Sequence, residues 1–458
     1  MTTTEWFAGC EEHFQEICHQ KLHDQFAVDG VIPTEVKERF DLEMTHVLRN
    51  GFFYSFVAAR RVLDLAKECG LHAMIGGNAA YSLLSYLYGL TWINPIERDY
   101  PPSFLFEEHF EKMPYFPLIV SPDFRIRLIR YFSETLEDVR FTDEGIGNET
   151  IHLRVPSMET ELSFPIQTEW LLTLTEYLER KGAPAFGPGD TCPDFCKEEV
   201  ADTLNTFIRL ARFVDPEVKE DEDVLCEYYR QNPSYRTLLN AVGACMGENV
   251  WQAYKESGIP VFTHDELYRC LLRSGAESHE AFAVADKVRK GRSSHKQVAD
   301  ILKQVADPAL EQHVKPIRYL VTDGACEAFA QLILYLDRVK EQMPDIYKGC
   351  LKAVSRRSIG IPENAPEFLE INENPELDAD RKRMHIADAE YSRVRISEVP
   401  ARLAAYFADP RCIKYIGRSQ DSLLYRYCPV PGSEADAKII KITASSDKTA
   451  GTVPGVWS

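Results

Sequence analysis

The stretch LHAMIGGNAAYSLLSYLYGLTWINPI, residues 71–96, contains two features that decide the fold around it. Gly76 and Gly77 favour a tight turn, because glycine adopts backbone conformations that are closed to other residues. Leucines follow at helical spacing between residues 83 and 90. The pattern predicts a glycine turn that opens a buried helix. Backbone amides at such a helix start can hold a phosphate group, whereas an ordinary structural helix entry is the other interpretation.

The composition is that of a globular protein of several domains. The chain has 458 residues, 45% of them hydrophobic, which predicts two to four domains and a large core. No hydrophobic run is long enough to span a bilayer, and residues 1–5 open no signal peptide, so we expect a cytoplasmic protein with no membrane partner.

The charge argues against a general nucleic-acid binder. The formal net charge is −19, and non-specific affinity for nucleic acids comes mainly from lysine and arginine. One local basic patch remains a candidate for nucleic-acid binding: Arg125, Arg127 and Arg130. Alternation with hydrophobic residues predicts that Arg125 and Arg127 share one face of a strand, and a solvated strand face is the alternative interpretation.

The twelve cysteines are scattered, which is typical of reduced thiols rather than a disulfide framework. Cys192 and Cys196 form a C-x3-C pair in a loop, without a matching second pair. Two ligands at that spacing are weak evidence for zinc, so we predict no metal site there.

The hydrophobic pattern predicts an α+β fold that is predominantly helical. Residues 34–99 and 197–352 have helical periodicity, whereas residues 113–170 alternate in the manner of strands. Beyond residue 355 we expect a linker and a small α+β unit with a helix at 399–407 and strands at 423–428 and 438–443. Residues 445–458 lack a core-forming pattern and are expected to be disordered.

Several segments resemble the bacterial C-family replicative DNA polymerase, the PolC type of the DNA polymerase III alpha subunit. The glycine pair stands where that family has a GSRGSxGSS-like loop, and GLTWINPI at residues 89–96 is similar to its GITEVNPL-like exit. GENVW at 247–251 resembles its GTDVW motif, and VRKGR at 288–292 its VRKGKG. Residues 317–344 align with the helix that carries KAHAAAY.

The resemblance implies a domain organisation in the terms of that family. It comprises a palm-like domain with a mixed sheet at residues 34–185 and a helical fingers-like domain at 186–354. The sequence pattern predicts an N-terminal helical segment before them, at residues 1–33. Residues 355–458 form the linker, the small C-terminal unit and the tail. Only about forty residues separate Val120 from Leu162, which leaves no room for the helical thumb that the family inserts there.

The resemblance also implies that the metal-binding aspartates are missing. Nucleotidyl transfer requires carboxylates that hold two Mg²⁺ ions. The three aspartate positions of the family fall on Tyr115, Pro117 and Ser163, so no catalytic residue is predicted. Asp123, Glu159 and Glu161 are the candidate substitute carboxylates by sequence position.

The phosphate-binding residues of the family are only partly retained. By resemblance, the residual nucleotide-binding set is Gly76, Gly77, Asn78, Ser82, Arg289, Lys290 and Arg292, and a solvated helix end is the alternative interpretation of the last three. Tyr81 stands where the family has a serine. The lysine and histidine of KAHAAAY fall on Asp323 and Ala325, and we expect an aspartate at that position to repel a triphosphate.

We therefore predict a catalytically inactive PolC-like core without a cofactor, which binds an unknown protein partner or a nucleic acid. The alternative is an active DNA-directed DNA polymerase, which would need Mg²⁺. A third hypothesis is an enzyme of another kind that reuses the pocket, although His72, His109, His152 and His264 show no persuasive catalytic spacing.

Overall fold

The computed structural model describes residues 1–100, 116–143, 149–155, 161–187, 196–305 and 307–358, together with four strands between residues 413 and 457. The chain divides into two compact units, Met1–Tyr347 and Lys348–Ser458. The first unit combines a five-stranded mixed sheet with many helices, so the predicted α+β, mostly helical class is confirmed for the described part.

Four helices open the first unit, as the helical periodicity predicted. They are α1 (Thr3–Trp6), α2 (Cys10–Phe26), α3 (Thr34–Arg49) and α4 (Phe53–Glu68). Their buried faces carry large aromatic side chains, among them Phe14, Phe40 and Phe56, each at most 1% exposed. Burial of such rings supplies much of the hydrophobic stabilisation of this layer.

The central sheet is assembled from distant parts of the chain. Its strands are β1 (Ala73–Ile75), β2 (Leu118–Val120), β3 (Val139–Asp143), β4 (Glu149–Arg154) and β5 (Glu161–Thr168). The order is β1-β2-β5-β4-β3, with β2 and β5 parallel and the other neighbours antiparallel. Leu162, Phe164 and Ile166 are buried on one face of β5, which leaves the alternate residues on the opposite face.

Residues 122–135 form a helix, α6 (Pro122–Thr135), and the predicted strand for the arginine patch is wrong. The side chain of Ser121 accepts a hydrogen bond from the amide of Phe124, and Pro122 occupies the first turn, as expected for a helix start. Phe124, Leu128 and Phe132 are buried at a spacing of four, while Ile126 is 53% exposed. The helical period therefore prevails over the local alternation.

Two further helices are α5 (Leu83–Tyr88) and α7 (Trp170–Arg180). The helical region predicted for residues 197–352 is confirmed. Its helices are α8 (Val200–Leu210), α9 (Pro216–Glu220), α10 (Glu222–Gln231), α11 (Tyr235–Met246), α12 (Val250–Ser257), α13 (His264–Arg273), α14 (Ser278–Arg289), α15 (Lys296–Val305), α16 (Pro308–Val314), α17 (Asp323–Gln342) and α18 (Pro344–Ser358). Helix α17 is largely buried along its length.

The described part of the second unit includes an antiparallel meander of β6 (Ile413–Ser419), β7 (Ser422–Tyr427), β8 (Lys438–Ala444) and β9 (Gly455–Trp457). The strands predicted at 423–428 and 438–443 are confirmed. The expected disorder of residues 445–458 is wrong for residues 455–457, because Val456 and Trp457 pair with Thr443 and Ile442. The predicted helix at 399–407 lies outside the described residues.

Within the described ranges, no helix is both long and hydrophobic enough to cross a bilayer. Each cysteine that the structure describes is a free thiol, in agreement with the sequence.

Candidate functional site

The glycine turn forms as predicted at the end of β1. The amide of Gly76 donates a hydrogen bond to the carbonyl of Pro117 (2.8 Å), and Gly77 has a positive φ of 85°. A 3-10 turn, Asn78–Tyr81, leads to Ser82, whose buried hydroxyl accepts a hydrogen bond from the amide of Ser85 (3.1 Å) and caps α5. The retained serine thus has a structural role at the helix start.

The backbone hydrogen bond between Gly76 and Pro117 places the turn beside one of the three positions at which the family has a metal-binding aspartate. A Cβ built on Gly76 would lie 3.6 Å from the Cβ of Pro117 and 3.2 Å from Cδ1 of Ile119. The turn and this strand position are therefore neighbours. Tyr115, the second such position, lies outside the described residues.

Ser163 lies on the exposed face of β5, between the buried Leu162 and Phe164. It pairs with His152 of β4, and its Oγ is 3.0 Å from Nδ1 of His152. The other ring nitrogen of His152 is 2.7 Å from Oγ1 of Thr142. The third aspartate position is thus occupied by a hydroxyl in a hydrogen-bonded row across three strands.

The substitute carboxylates do not converge on this face. Glu161 forms an ion pair with Arg140 and lies 3.8 Å from Nδ1 of His152. Asp123 stands in the first turn of α6, a position at which a carboxylate stabilises a helix. Glu159 is outside the described residues. Among the residues that the structure describes, no three His, Cys, Asp or Glu side chains form a group suited to a metal ion.

Asp323 at the start of α17 is 1% exposed and is held by two arginines. Nη1 of Arg269 lies 2.8 Å and Nη1 of Arg236 3.2 Å from the same carboxylate oxygen, Oδ2. The hydroxyl of Thr263 donates to Oδ1 (2.5 Å). The carboxylate of Asp323 is thus paired with two guanidinium groups, and the expectation that it repels a triphosphate stays a prediction.

Tyr81 packs directly on Gly324 in the first turn of α17. A Cβ built on Gly324 would lie 2.4 Å from Cγ of Tyr81, well inside van der Waals contact. The bulky residue in the turn is thus matched by the absence of a side chain on the helix. Burial raises the pKa of the Tyr81 phenol, so this ring remains neutral.

A buried carboxylate on α17, Glu327, connects the helix to the segment that follows α5. Glu327 is fully buried, and it accepts hydrogen bonds from Nε of Arg98 (2.7 Å), from the hydroxyl of Tyr100 and from Nε2 of Gln331 (3.1 Å). The indole N–H of Trp92 donates a hydrogen bond to Oε1 of Gln331. The sequence alone did not indicate this network, since the residues on α17 are more than 200 positions away from Trp92, Arg98 and Tyr100.

The basic residues of the residual nucleotide-binding set lie at the end of α14. Arg289 and Lys290 both bind Asp286, at 2.9 and 2.5 Å. Gly291 has a positive φ of 68°, and a Cβ there would lie 2.7 Å from the carbonyl oxygen of Arg318. Arg292 is exposed. A nucleotide-binding role of these residues stays a prediction.

The three arginines of the predicted basic patch lie on α6 and differ in their surroundings. Arg125 forms an ion pair with Glu149, whereas Arg127 and Arg130, one helical turn apart, are exposed. Cys192 lies outside the described residues, so the C-x3-C pair is not further described.

A buried carboxylate at the end of β5, Glu169, was not identified from the sequence. Glu169 is 1% exposed and accepts hydrogen bonds from the amides of Leu171 (3.1 Å) and Arg212 (3.4 Å). Burial raises its pKa to about 7. The side chain has a structural role as the cap of α7.

Comparison with known proteins gives a family match over part of the chain. Residues 12–140 match the model of the bacterial DNA polymerase III alpha NTPase domain. The chain is similar to the PolC-type DNA polymerase III of Caldanaerobacter subterraneus subsp. tengcongensis, with 27% identity over 92 residues, and of Pediococcus pentosaceus, with 26% over 92 residues. Each match covers 20% of this chain and 6% of the relative. These findings support a DNA polymerase III alpha-like relationship for the N-terminal part.

Proposed function

We propose that this chain is a catalytically inactive core of the DNA polymerase III alpha type, which serves as a binding or scaffold module. In this proposal, the sheet β1–β5 is the palm and the helices from α8 to α17 correspond to the fingers. The family match at residues 12–140 supports it, because that range includes the glycine turn and β2, which form one side of the site.

The observation that carries the proposal is the chemistry of the sheet face beside the glycine turn. Two-metal catalysis needs carboxylate oxygens that neutralise and orient two cations about 4 Å apart. Pro117 offers no side-chain ligand, and the hydroxyl of Ser163 is hydrogen bonded to His152. Glu161, the carboxylate on this face, forms an ion pair with Arg140. A fold can persist without its activity, since activity resides in the site.

The described connection between β2 and β5 also supports a core without a thumb. It contains α6, β3 and β4, which pack within the first unit as part of the sheet and its flanking layer. A helical domain that grips duplex DNA has no place in this connection. The proposal therefore assigns the molecule a role in binding, with an unidentified protein as the first candidate partner and nucleic acid at Arg127 and Arg130 as the second.

A primer-extension assay tests the proposal. The full chain would be incubated with a primed template and all four deoxynucleotides, in Mg²⁺ or in Mn²⁺, beside an active PolC-type polymerase as the positive control. We expect no extension above a blank without protein in either metal.

Template-directed incorporation would contradict the proposal and favour an active polymerase. The variants Glu161→Gln and Asp123→Asn would then identify the ligands used, and Asp300→Asn, an exposed carboxylate on α15, would serve as the matched control. Loss of incorporation in Glu161→Gln but not in Asp300→Asn would place a metal ion on the sheet face.

A further inference from the structure

A cavity of about 630 Å³ opens between α11 and α13, apart from the sheet face described above. Three arginines line it: Arg236 on α11, and Arg269 and Arg273 on α13. Neither the family match nor the two relatives assigns a role to this cavity. A volume of this size is in the range that holds a small organic molecule.

Two of the arginines are fixed in place before any ligand arrives. Arg236 and Arg269 share Oδ2 of the buried Asp323, and Arg236 also forms an ion pair with Glu266. Glu266 is in turn held by the amide of Phe262 (2.7 Å). Because both guanidinium groups are already oriented, an anion that binds them incurs a smaller entropic cost than it would on mobile side chains.

The arginines retain donors after these bonds are counted. Each guanidinium has five N–H groups. Arg236 uses one on Asp323 and one on Glu266, and Arg269 uses one on Asp323 and a long one (3.4 Å) on the carbonyl of Asp99. Arg273 is exposed at the cavity mouth and bonds through Nε to the carbonyl of Arg269 (3.3 Å). A ligand oxygen can therefore find several N–H donors here.

The charge of the cavity and its wall limits the class of ligand. Three arginines and one carboxylate, Glu266, line the cavity. Two further carboxylates lie behind them: Asp323 binds Arg236 and Arg269, and Asp265 accepts the amide of Asp323 (2.7 Å). The surface that a ligand meets is therefore cationic, whereas the cluster as a whole is balanced, so a ligand with a single negative charge leaves less uncompensated charge than a dianion.

The remaining walls are hydrophobic. Pro260, Val261 and Leu272 line the cavity together with the amide side chain of Asn240. Leu272 is 36% exposed, so a hydrophobic group that covers it removes its surface from water. The cavity thus combines a cationic end with a hydrophobic side.

We propose that this cavity binds a small organic monocarboxylate that has a hydrophobic body. The carboxylate is held by the fork of Arg269 and Arg273 beside Arg236, and the body packs on Val261 and Leu272. Planar guanidinium groups match a carboxylate with two parallel hydrogen bonds. A phosphate monoester carries about −1.5 to −2 charges at neutral pH and would leave the cavity with excess negative charge.

Isothermal titration calorimetry with phenylacetate at constant ionic strength tests this proposal. We expect saturable binding to one site per chain, no detectable binding of benzyl alcohol, which has the same ring without the charge, and weaker binding of phenyl phosphate. Arg273→Glu is expected to weaken phenylacetate binding at least tenfold. Arg49→Glu makes the same charge change at the end of α3, outside the cavity, and is expected to change the affinity less than twofold.

Three results would overturn the proposal: no saturable binding of phenylacetate, equal affinity in Arg273→Glu and the parent, or an equal loss in Arg49→Glu. Tighter binding of phenyl phosphate would overturn the choice of a carboxylate. Arg273 is exposed, so its replacement leaves the buried Asp323 pairs intact. The measurement is independent of primer extension, and the failure of one proposal leaves the other unaffected.

Discussion

At the scale of single residues, burial sets the protonation of Glu169. Its carboxylate is removed from water at the end of β5, and its pKa rises from 4.5 to about 7. Between pH 4.5 and about 7, the Glu169 carboxyl group of the folded chain holds a proton that the unfolded chain has released. The stabilisation is complete below pH 4.5 and is lost as the pH rises through about 7.

The variant Glu169→Gln should remove this pH dependence. The uncharged amide cannot ionise, so its free energy of unfolding should vary less between pH 5 and pH 8 than that of the parent. Between pH 4.5 and 7, the free energy of unfolding of the parent should fall by at most about 3 kcal/mol more than that of the variant. Urea denaturation at several pH values measures it. Glu161→Gln, at an exposed ion pair, is the control, and an equal flattening in that variant would contradict the assignment.

Residue identities at the candidate site followed from the sequence, but their partners did not. Pro117 and Ser163 could be named from motif positions, whereas the row of Ser163, His152 and Thr142 depends on the register of three strands. The pairing of Asp323 with Arg236 and Arg269 spans 87 and 54 residues. Such distant pairs form only in the folded chain, and no local pattern records them.

At the scale of elements, the 3-10 turn packs against the first turn of α17 and so holds the start of this helix in place. Tyr81 fills the space above Gly324, so the ring and the glycine depend on each other. The sequence indicated that Tyr81 is bulky at this position, but it did not show the glycine that accommodates it.

The variant Gly324→Ala should destabilise the chain by about 1 to 3 kcal/mol, because the new methyl group overlaps the tyrosine ring. Gly349→Ala on α18 is the matched control. A Cβ at Gly349 meets no atom within 4 Å, and alanine is the better helix former by about 1 kcal/mol. Urea midpoints of the two variants should therefore move in opposite directions. A shift of both in the same direction would contradict the packing described here.

Helix α6 shows how a short pattern can mislead. Alternation over Phe124, Ile126 and Leu128 favoured a strand, yet Phe132 extends a spacing of four that is typical of a helix. The signals at the helix start, Ser121 and Pro122, were present in the sequence. A window of fourteen residues distinguishes the two periods, and a window of five does not.

At the scale of the whole molecule, the net charge of −19 disfavours the binding of nucleic acid, and α6 has few exposed arginines. Arg125 forms an ion pair with Glu149, so Arg127 and Arg130 are the proposed phosphate contacts of this patch. Two contacts give a dependence on salt with a logarithmic slope of about −2 for duplex DNA.

A gel-shift titration in increasing salt checks this expectation. Any complex with duplex DNA should show a slope no steeper than about −2, and the double variant Arg127→Glu, Arg130→Glu should weaken it at least tenfold. Lys303→Glu on α15 makes a single charge reversal at another exposed site and should have a smaller effect. Binding that is unchanged in the double variant would remove the α6 patch from consideration.

The buried carboxylate of Glu327 has a consequence for how the first unit unfolds. Its partners come from residues 98 and 100, before most of the sheet, and from residue 331, near the end of the unit. If the segment that carries Arg98 and Tyr100 detached from α17, Glu327 would lose its ion pair and the hydrogen bond from Tyr100, and the removal of one partner of a buried pair is strongly destabilising. The early and late halves should therefore lose their structure in one cooperative transition.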